Sequence, residues 1–307
     1  MKMLAGRAVD RARGFVEDSG RPLERARLAL QLDGGDAGAV IHELAQFQNA
    51  DGGFGHGLEP DLRTPTSSAL ATTVGLQVLR EVGAGEDHPV VAGAIGYLVN
   101  TYDATRKAWE IIPEEADASP RADWWNYANT AEAFGRFLVN PRAEAVGYLY
   151  EHSASVPTAM LVELSADVLN HLGGSAPRIE MHDFLCYLRL ADAPNLPDEL
   201  REPVVDRLRA SARHTVETDP NAWNGYCTTP LDVASTPTSL LASEFAPQEI
   251  AANLDHLIAS QTRDGAWAPP WEWGSYPTAW RQAKREWKGV LTVRTLTTLR
   301  AYGRSQG

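Results

Sequence analysis

Apolar side chains recur along this chain at spacings of three and four residues, the period of a helix with one buried face. Clear examples of such stretches begin at Val40, Leu70, Val90, Leu161 and Leu254. No stretch sustains the alternation that marks a half-buried strand. Breaks separate the periodic stretches, at Asp18-Ser19-Gly20, Gly34-Gly35, Gly83-Ala84-Gly85, Gly173-Gly174 and Asp219-Pro220. The pattern predicts an all-α protein of about a dozen helices joined by short turns.

Three intervals depart from this pattern. Residues 49–65, 103–126 and 262–287 are rich in Gly, Pro and Trp and have little helical periodicity. Long segments of this kind inside a helical domain are often functional, which makes these three intervals the first candidates for a site. No shift in composition marks a boundary along the chain, and the sequence therefore predicts a single domain over residues 1–307.

Charge and composition narrow the classes of partner. Acidic side chains outnumber basic ones by 40 to 28, giving a formal net charge of −12. Without a long Lys/Arg run, this balance argues against nucleic acid, whose binding depends on neutralised phosphates. No apolar run approaches the ~20 residues that cross a bilayer, and the N-terminus lacks the apolar core of a signal peptide. We expect a cytoplasmic protein with no membrane span.

The two cysteines indicate neither a disulfide framework nor a redox motif. Cys186 and Cys227 are too few for the first and form no Cys-x-x-Cys pair for the second. Free cysteines usually behave as small apolar side chains. We therefore expect both residues in the core.

Two pairs of internal repeats are the most informative feature. Residues 44–54 and 257–267 both have the form Leu-x3-Gln-x2-Asp-Gly-x-aromatic. A Gln at a helix end can hydrogen-bond unpaired backbone groups of that helix or the next, Asp-Gly favours a tight turn, and the aromatic ring covers the junction. Thr-Pro-Thr-Ser, at residues 64–67 and 236–239, places Pro and hydroxyl groups at two predicted helix starts. Repeated helix ends predict a chain built from repeated helix pairs.

The motif at Gln48–Phe54 and Gln261–Trp267 resembles the repeat of the terpenoid cyclase and protein prenyltransferase superfamily, in particular the Gln/Trp motif of squalene–hopene cyclases. The resemblance implies an α/α toroid, a double ring of inner and outer helices around a central cavity that opens beneath long loops. It covers both ends of the chain and is weak over residues 140–220. Another helical array with coincidental Gln-Asp-Gly turns is the alternative.

The catalytic motifs of that superfamily are missing. No two aspartates are adjacent, which excludes the Asp-x-Asp-Asp acid of squalene–hopene-type cyclases and the Asp-Asp-x-x-Asp magnesium motif of ionising terpene synthases. Neither cysteine lies in the Asp-x-Cys pair that binds zinc in prenyltransferases. Metal-binding His spacings, a nucleophile elbow and a phosphate-binding Gly-Lys-Ser/Thr loop are also missing. We predict no metal and no cofactor.

The loop after the first motif carries the strongest candidate chemistry. It contains His56, Glu59, Asp61 and Arg63. An apolar cavity can keep a carboxyl group protonated, as proton-initiated chemistry requires. We predict that Glu59 donates or accepts the proton, while Asp61 stays ionised beside Arg63. His56 is the predicted orienting or relay group. An ion pair, a helix cap and a turn residue would explain the same side chains without any catalysis.

Tryptophans are concentrated in the other long loops. Trp109 precedes the segment that contains Asp123, Trp124 and Trp125. Adjacent indoles exceed what a helix core needs and can form a cavity wall or a face for cations. These four residues are predicted to bind substrate. A loop that packs its own aromatic rings onto the helices is the alternative.

Five of the nine tryptophans lie within residues 267–287, beside a group of basic side chains. Trp271 and Trp273 are candidates for the entrance of a cavity that admits an apolar or sugar-like ligand, with the basic group receiving an anionic end. A solvated helix face explains the same charges. Asp232 is a further candidate from another loop, with helix capping as its alternative role.

These patterns leave three classes of function open, all with a small-molecule ligand and no defined oligomeric state. The first is an enzyme that binds a mainly apolar substrate and performs metal-independent acid–base chemistry, such as a cyclisation, isomerisation or elimination by a lyase or isomerase. The second is a carbohydrate-active or carbohydrate-binding helical barrel, because Trp platforms and paired carboxylates also describe sugar sites. The third is a non-catalytic binding scaffold.

Overall fold

The computed structural model describes residues 1–134, 139–174 and 177–305. Thirteen α-helices and no β-strand lie in these ranges, which confirms the all-α prediction. The helices are α1 (Gly6–Ser19), α2 (Pro22–Asp33), α3 (Ala37–Ala45), α4 (Ala69–Glu81), α5 (Pro89–Thr101), α6 (Tyr127–Phe134), α7 (Val139–Glu151), α8 (Thr158–Gly174), α9 (Met181–Ala191), α10 (Asp198–Thr215), α11 (Pro230–Val233), α12 (Pro247–Ala259) and α13 (Pro277–Ala301).

Prolines and side-chain caps set several helix starts. Pro22, Pro89 and Pro247 occupy the first position of their helices, where the missing N–H costs nothing. The Ser68 hydroxyl caps α4 and the His88 ring caps α5, each accepting a backbone N–H of the first turn. Local sequence therefore determines where these helices begin.

The two Thr-Pro-Thr-Ser copies behave differently. Residues 64–67 lead directly into Ser68, the N-cap of α4, as predicted. In the second copy, the backbone N–H of Thr236 donates to the Ser239 hydroxyl at 3.0 Å. This hydrogen bond closes a turn, and the next α-helix begins only at Pro247. The predicted helix start is wrong for the second copy.

The loop predictions hold for two of the three intervals. Residues 49–65 contain no helix, and residues 103–126 contain only the 3-10 helices Glu114–Ala118 and Asp123–Trp125. The third prediction is wrong from Pro277 onward, because α13 begins there. Its buried face includes Glu286, Gly289 and Thr292. Because these residues are small or polar, the helix lacks the apolar periodicity from which helices are predicted.

The chain forms two compact units, each built from separate stretches of sequence. The first contains Met1–Glu43, Val216–Trp273 and the described part of Pro277–Gly307. In it, α1 packs against α2 and α13 around a shared apolar core. The chain ends meet here, because the backbone N–H of Leu4 donates to the carbonyl of Arg304 at 2.8 Å.

The second unit contains Leu44–Thr215 and the short segment Gly274–Tyr276. Its central element is α7, which packs against α4, α8 and α9 and is buried along most of its length. The buried Glu144 of α7 accepts hydrogen bonds from Gln77 at 3.0 Å and from Arg189 at 2.6 Å. These polar contacts fix the register of α7 against its neighbours. The single domain over residues 1–307 stays a prediction.

Candidate functional site

The first Gln motif forms a compact network of hydrogen bonds. The Gln48 amide donates to the carbonyls of Gly52 and Val90, both at 2.9 Å. Gly52 belongs to the turn itself, and Val90 to the first turn of α5. The backbone N–H of Phe54 donates to the Thr72 hydroxyl of α4 at 3.0 Å. One motif thus ties a loop to two helices.

The second motif repeats these contacts residue for residue. The Gln261 amide donates to the carbonyls of Gly265 and Ala8, both at 2.8 Å. Ala8 lies in the first turn of α1. The backbone N–H of Trp267 donates to the Thr292 hydroxyl of α13 at 3.2 Å. The prediction that Gln bonds to backbone carbonyls is confirmed, but the predicted partners are wrong. Each Gln bonds to its own turn and to the first turn of a more distant helix, not to its own helix or the next one.

Both turns require glycine. Gly52 and Gly265 have φ values of +87° and +92°. A Cβ atom at either position would overlap a backbone carbonyl, that of Gly93 in the first motif and that of Arg11 in the second. The repeated motifs are therefore structural junctions, which leaves the chemistry to the loops that follow them.

The loop after the first motif is held tightly. His56 adopts a φ of +55°, unusual for a residue other than glycine, and its ring nitrogen lies 2.8 Å from the side-chain oxygen of Asn49. The Arg63 guanidinium lies over Gly57, where a Cβ atom would be 2.9 Å from its Cζ. The carboxylate residues Glu59 and Asp61 are buried, with exposed fractions of 8% and 3%. The candidate carboxylates thus lie inside the protein.

Backbone contacts join this loop to the segment that precedes the tryptophan pair. The backbone N–H of Arg63 donates to the carbonyl of Pro120 at 3.1 Å, and that of Ala122 donates to the carbonyl of Asp61 at 2.8 Å. Leu62 and Arg121 form an isolated antiparallel bridge between these two bonds. Two candidate regions that lie far apart in sequence are therefore neighbours.

A cavity opens beside this junction, and we call it the Arg121 pocket. Its volume is about 350 Å³. Its lining residues are Arg121, Ala122, Asp123, Asn126, Asn129, Ser275 and Tyr276, all in the second unit. Glu59 and Asp61 are not among the lining residues, but the backbone of Asp61 supports the wall at Ala122. The pocket is polar and contains both donors and acceptors.

The Arg121 side chain is the fixed group of this pocket. Its guanidinium pairs with the Asp117 carboxylate at 2.8 Å and donates to the carbonyls of Asp117 and Ser119. The Tyr276 hydroxyl lies 3.5 Å from the same guanidinium. With so many bonds to its own loop, Arg121 is held in one position, as a binding group must be.

Two further residues of the pocket are constrained by their backbone surroundings. Tyr276 has a φ of +52° and a side chain that is 42% exposed. An aromatic residue in this conformation is strained, and such strain is often found at binding sites. The Asp123 carboxylate is pressed so closely onto Gly274 that a Cβ atom there would overlap its Oδ2.

The neighbouring tryptophans play different roles. Trp124 is 44% exposed, whereas Trp125 packs on the apolar cluster that includes Leu62 and Ile112. Neither residue lines the Arg121 pocket. Trp109 is buried and donates its indole N–H to the Leu98 carbonyl at 2.7 Å, which fastens the loop to the end of α5.

The remaining candidates lie in the first unit. Trp271 contacts the rings of Tyr226 and Trp287 edge-on, and Trp273 is buried against Trp280. The Asp232 carboxylate accepts the backbone N–H of Thr229 at 2.7 Å, and so caps α11. Asp232 also pairs with Arg294 at 2.6 Å. Capping, the alternative role considered for Asp232, is confirmed.

Of the seven residues that line the pocket, only Asp123 was a candidate from the sequence, and six were not: Arg121, Ala122, Asn126, Asn129, Ser275 and Tyr276. Arg121 and Asn126 lie inside or at the end of an interval already selected, so their loop was a usable signal. Asn129 is a helix residue without a motif. Tyr276 precedes a proline, a position that favours extended backbone, so the sequence gives no hint of its positive φ.

No model of a known protein family matches this sequence, and no curated protein is significantly similar to it. Within the described ranges, no helix is both long and apolar enough to cross a bilayer. In the same ranges, no three His, Cys, Asp or Glu side chains are grouped so that they could hold a metal ion.

Proposed function

We propose that the Arg121 pocket binds a small polyhydroxylated molecule of the carbohydrate class. The observation that carries the proposal is the lining: a fixed guanidinium, a carboxylate, two primary amides and two hydroxyl groups surround one cavity of about 350 Å³. Planar amides, carboxylates and guanidinium groups match the paired donors and acceptors of adjacent sugar hydroxyls. The exposed Tyr276 ring offers a face on which a sugar ring can pack.

The same lining disfavours a mainly apolar substrate at this place. Burying an unpaired polar group against hydrocarbon costs free energy, and an isoprenoid in this pocket would leave most of these groups unpaired. The carbohydrate hypothesis therefore takes precedence over the cyclase-like hypothesis for the Arg121 pocket.

Acid–base turnover at the adjoining loop is the second candidate function. The burial of Glu59 and Asp61 supports it, because a carboxyl group removed from water can change its protonation equilibrium. Glu59 would transfer the proton, Asp61 would remain ionised near Arg63, and His56 would orient the group. Should turnover of a sugar substrate be found, Glu59→Gln is expected to remove it while ligand binding persists. Unchanged turnover would exclude Glu59 as the proton-transfer group.

The α/α toroid is our proposal for the arrangement of the helices. It is supported by the contacts of the second motif, since Gln261 reaches forward past α13 to α1 at the other end of the chain. Gln48 reaches past α4 to α5 in the same way.

Ligand-observed NMR with a panel of monosaccharides and short oligosaccharides tests the proposed binding. Asn129→Ala removes an exposed amide that lines the pocket from α6. Asn100→Ala is the matched control, because it removes an exposed amide from α5 outside the pocket. We expect the first variant to lose about 1 kcal/mol of binding free energy, roughly fivefold in Kd, and the control to bind normally. Equal affinity in both variants, or no binding by any sugar, would overturn the proposal.

A further inference from the structure

A second cavity, unrelated to the loops considered above, lies where the end of α8 meets the start of α9. We call it the α8–α9 cavity. Its volume is about 340 Å³, within the range of small-ligand sites. Its lining residues are Asn170, His171, Gly174, Arg178, Ile179, Glu180, Asp183 and Tyr187. Neither the repeats nor the long loops contribute to it.

Two carboxylates line this cavity, those of Glu180 and Asp183, and they differ in their hydrogen-bond partners. Glu180 accepts the backbone N–H groups of His182 and Asp183, so its own carboxylate already caps α9. Asp183 receives a hydrogen bond from the backbone of Asn140, and no cationic side chain among the described residues forms an ion pair with it. Burial, followed by repulsion from Glu180, raises the pKa of Asp183 to about 6. At neutral pH this carboxylate is charged, and within the described ranges its only favourable charged neighbour is the ring of His182, which is already bonded to Glu180.

The Tyr187 hydroxyl is a second polar group of interest in this cavity. Tyr187 lies one helical turn after Asp183, on the same side of α9. Its side chain is 0% exposed, and its hydroxyl has no hydrogen-bond partner within the described part of the chain. A buried hydroxyl without a hydrogen-bond partner lowers the stability of the fold by about 1–3 kcal/mol, and native proteins contain few such groups.

We propose that the α8–α9 cavity binds a small primary ammonium ion, which lies between the Asp183 carboxylate and the Tyr187 hydroxyl. An ammonium group supplies both the missing counterion and the missing donor, since it carries three N–H donors and a positive charge. Ile179 is buried in the wall and provides an apolar surface for the carbon chain of the ligand.

The other charged groups of the cavity are compatible with a cation. Burial and the charge of Arg142 lower the pKa of His171, which disfavours a positive charge on its ring. The charges of Arg142 and Arg207 also reach Tyr187, but Arg142 is paired with the Asp167 carboxylate at 2.7 Å. Arg178 lies at the exposed rim, where water and salt screen its charge. Glu180 adds a second negative charge on the same side as Asp183.

Isothermal titration calorimetry at neutral pH, with propylammonium as the probe and 1-propanol as its neutral isostere, tests this proposal. We expect propylammonium to bind and 1-propanol not to bind. Asp183→Asn should weaken propylammonium binding at least tenfold, and Tyr187→Phe should weaken it severalfold with the ring retained. Asp198→Asn removes an equally negative but exposed carboxylate outside the cavity and should leave binding unchanged.

Several outcomes would overturn the proposal. Equal binding of the alcohol and the amine would mean that the carboxylate plays no part, and equal loss in the Asp183 and Asp198 variants would indicate a diffuse charge effect. A Mg²⁺ or Ca²⁺ titration is run in parallel. Tight divalent binding that Asp183→Asn abolishes, with no binding of propylammonium, would assign the cavity to a metal ion instead.

Discussion

At the scale of single residues, the protein places carboxyl groups of similar type in very different surroundings. Asp33 pairs with Arg13 at the surface, and this hydrogen bond lowers the pKa of the aspartate. Asp183 lies in the α8–α9 cavity, where burial raises the pKa of the same functional group. Sequence position does not distinguish the two, because the largest cause of each shift, the bond from Arg13 to Asp33 and the burial of Asp183, depends on tertiary packing.

The raised pKa of Asp183 predicts a specific dependence of stability on pH. Its pKa of about 6 in the folded state exceeds the ordinary value of 3.8, so between these values the folded chain binds more protons than the unfolded chain. The free energy of unfolding therefore falls as the pH rises from about 4 through 6. Asp183→Asn, which cannot ionise, should exceed the parent in stability at pH 7.5 and match it near pH 4.

Thermal denaturation of the ligand-free protein at the two pH values measures this difference. Asp198→Asn removes the same formal charge from an exposed position and serves as the control. If the melting temperature at pH 7.5 rises as much in the control as in Asp183→Asn, the effect comes from net charge alone.

At the scale of elements, stability depends on the junctions at which one side chain serves several backbone groups. Gln48 and Gln261 each donate to two carbonyls, one in the local turn and one in the first turn of another helix. We expect Gln48→Ala and Gln261→Ala each to lower the free energy of unfolding by about 1–3 kcal/mol, because each variant loses two hydrogen bonds at a part-buried junction.

Chemical denaturation of the two variants checks this expectation. Gln248→Ala is a matched control, since Gln248 is an exposed residue in the first turn of α12. Should the Gln48 and Gln261 variants unfold at the same denaturant concentration as the control, the repeated motif would have no role in stability.

The elements also show where sequence periodicity succeeds and fails. A helix such as α4 was predictable, because its buried face consists largely of apolar residues such as Leu70, Leu76 and Leu79. The first turns of α13 were not, because Ala283, Glu286 and Gly289 lie on its buried side among tryptophans. A helix whose buried face is small or polar loses the apolar contrast on which the period depends.

At the scale of the whole molecule, the two chain ends contribute to the same unit. The buried Arg304 donates to the Lys2 carbonyl at 2.6 Å and pairs with Asp255 of α12. Arg304→Met retains most of the packing of the side chain but removes both interactions. We expect it to lower the free energy of unfolding by about 1–3 kcal/mol, because the Lys2 carbonyl loses the guanidinium donor and the part-buried Asp255 carboxylate keeps only the backbone N–H of Lys2 as a hydrogen-bond donor among the described residues.

Urea denaturation provides the measurement for this variant. Arg263→Met, at an exposed position in the turn of the second motif, is the control for loss of a surface guanidinium. A variant at Arg304 that is as stable as this control would mean that the contact between the chain ends adds nothing to the fold.

Part of the candidate site was predictable from the sequence, and part is visible only in the structure. Gly- and Pro-rich composition selected the loops over residues 49–65 and 103–126, and the backbone bonds of Asp61 and Arg63 to the second loop make them neighbours. The lining of the Arg121 pocket, however, includes a helix residue, Asn129, and a strained residue from a third segment, Tyr276. The composition of residues 262–287 indicated the segment that contains Tyr276 but not the positive φ of that residue, and no local pattern indicates Asn129, whose place in the pocket depends on tertiary packing.

The sequence by itself determined the helical class, many helix boundaries and the two repeated junctions, since these depend on short-range periodicity, caps and turn residues. Tertiary structure decided which loops meet, which carboxylates are buried and where cavities open. Among the described residues, it also left the Tyr187 hydroxyl without a hydrogen-bond partner, one helical turn from the Asp183 carboxylate, which has no ion-pair partner in the same part of the chain. The physical reason is that solvation and charge environment are set by groups distant in sequence, whose positions become fixed only when the helices pack.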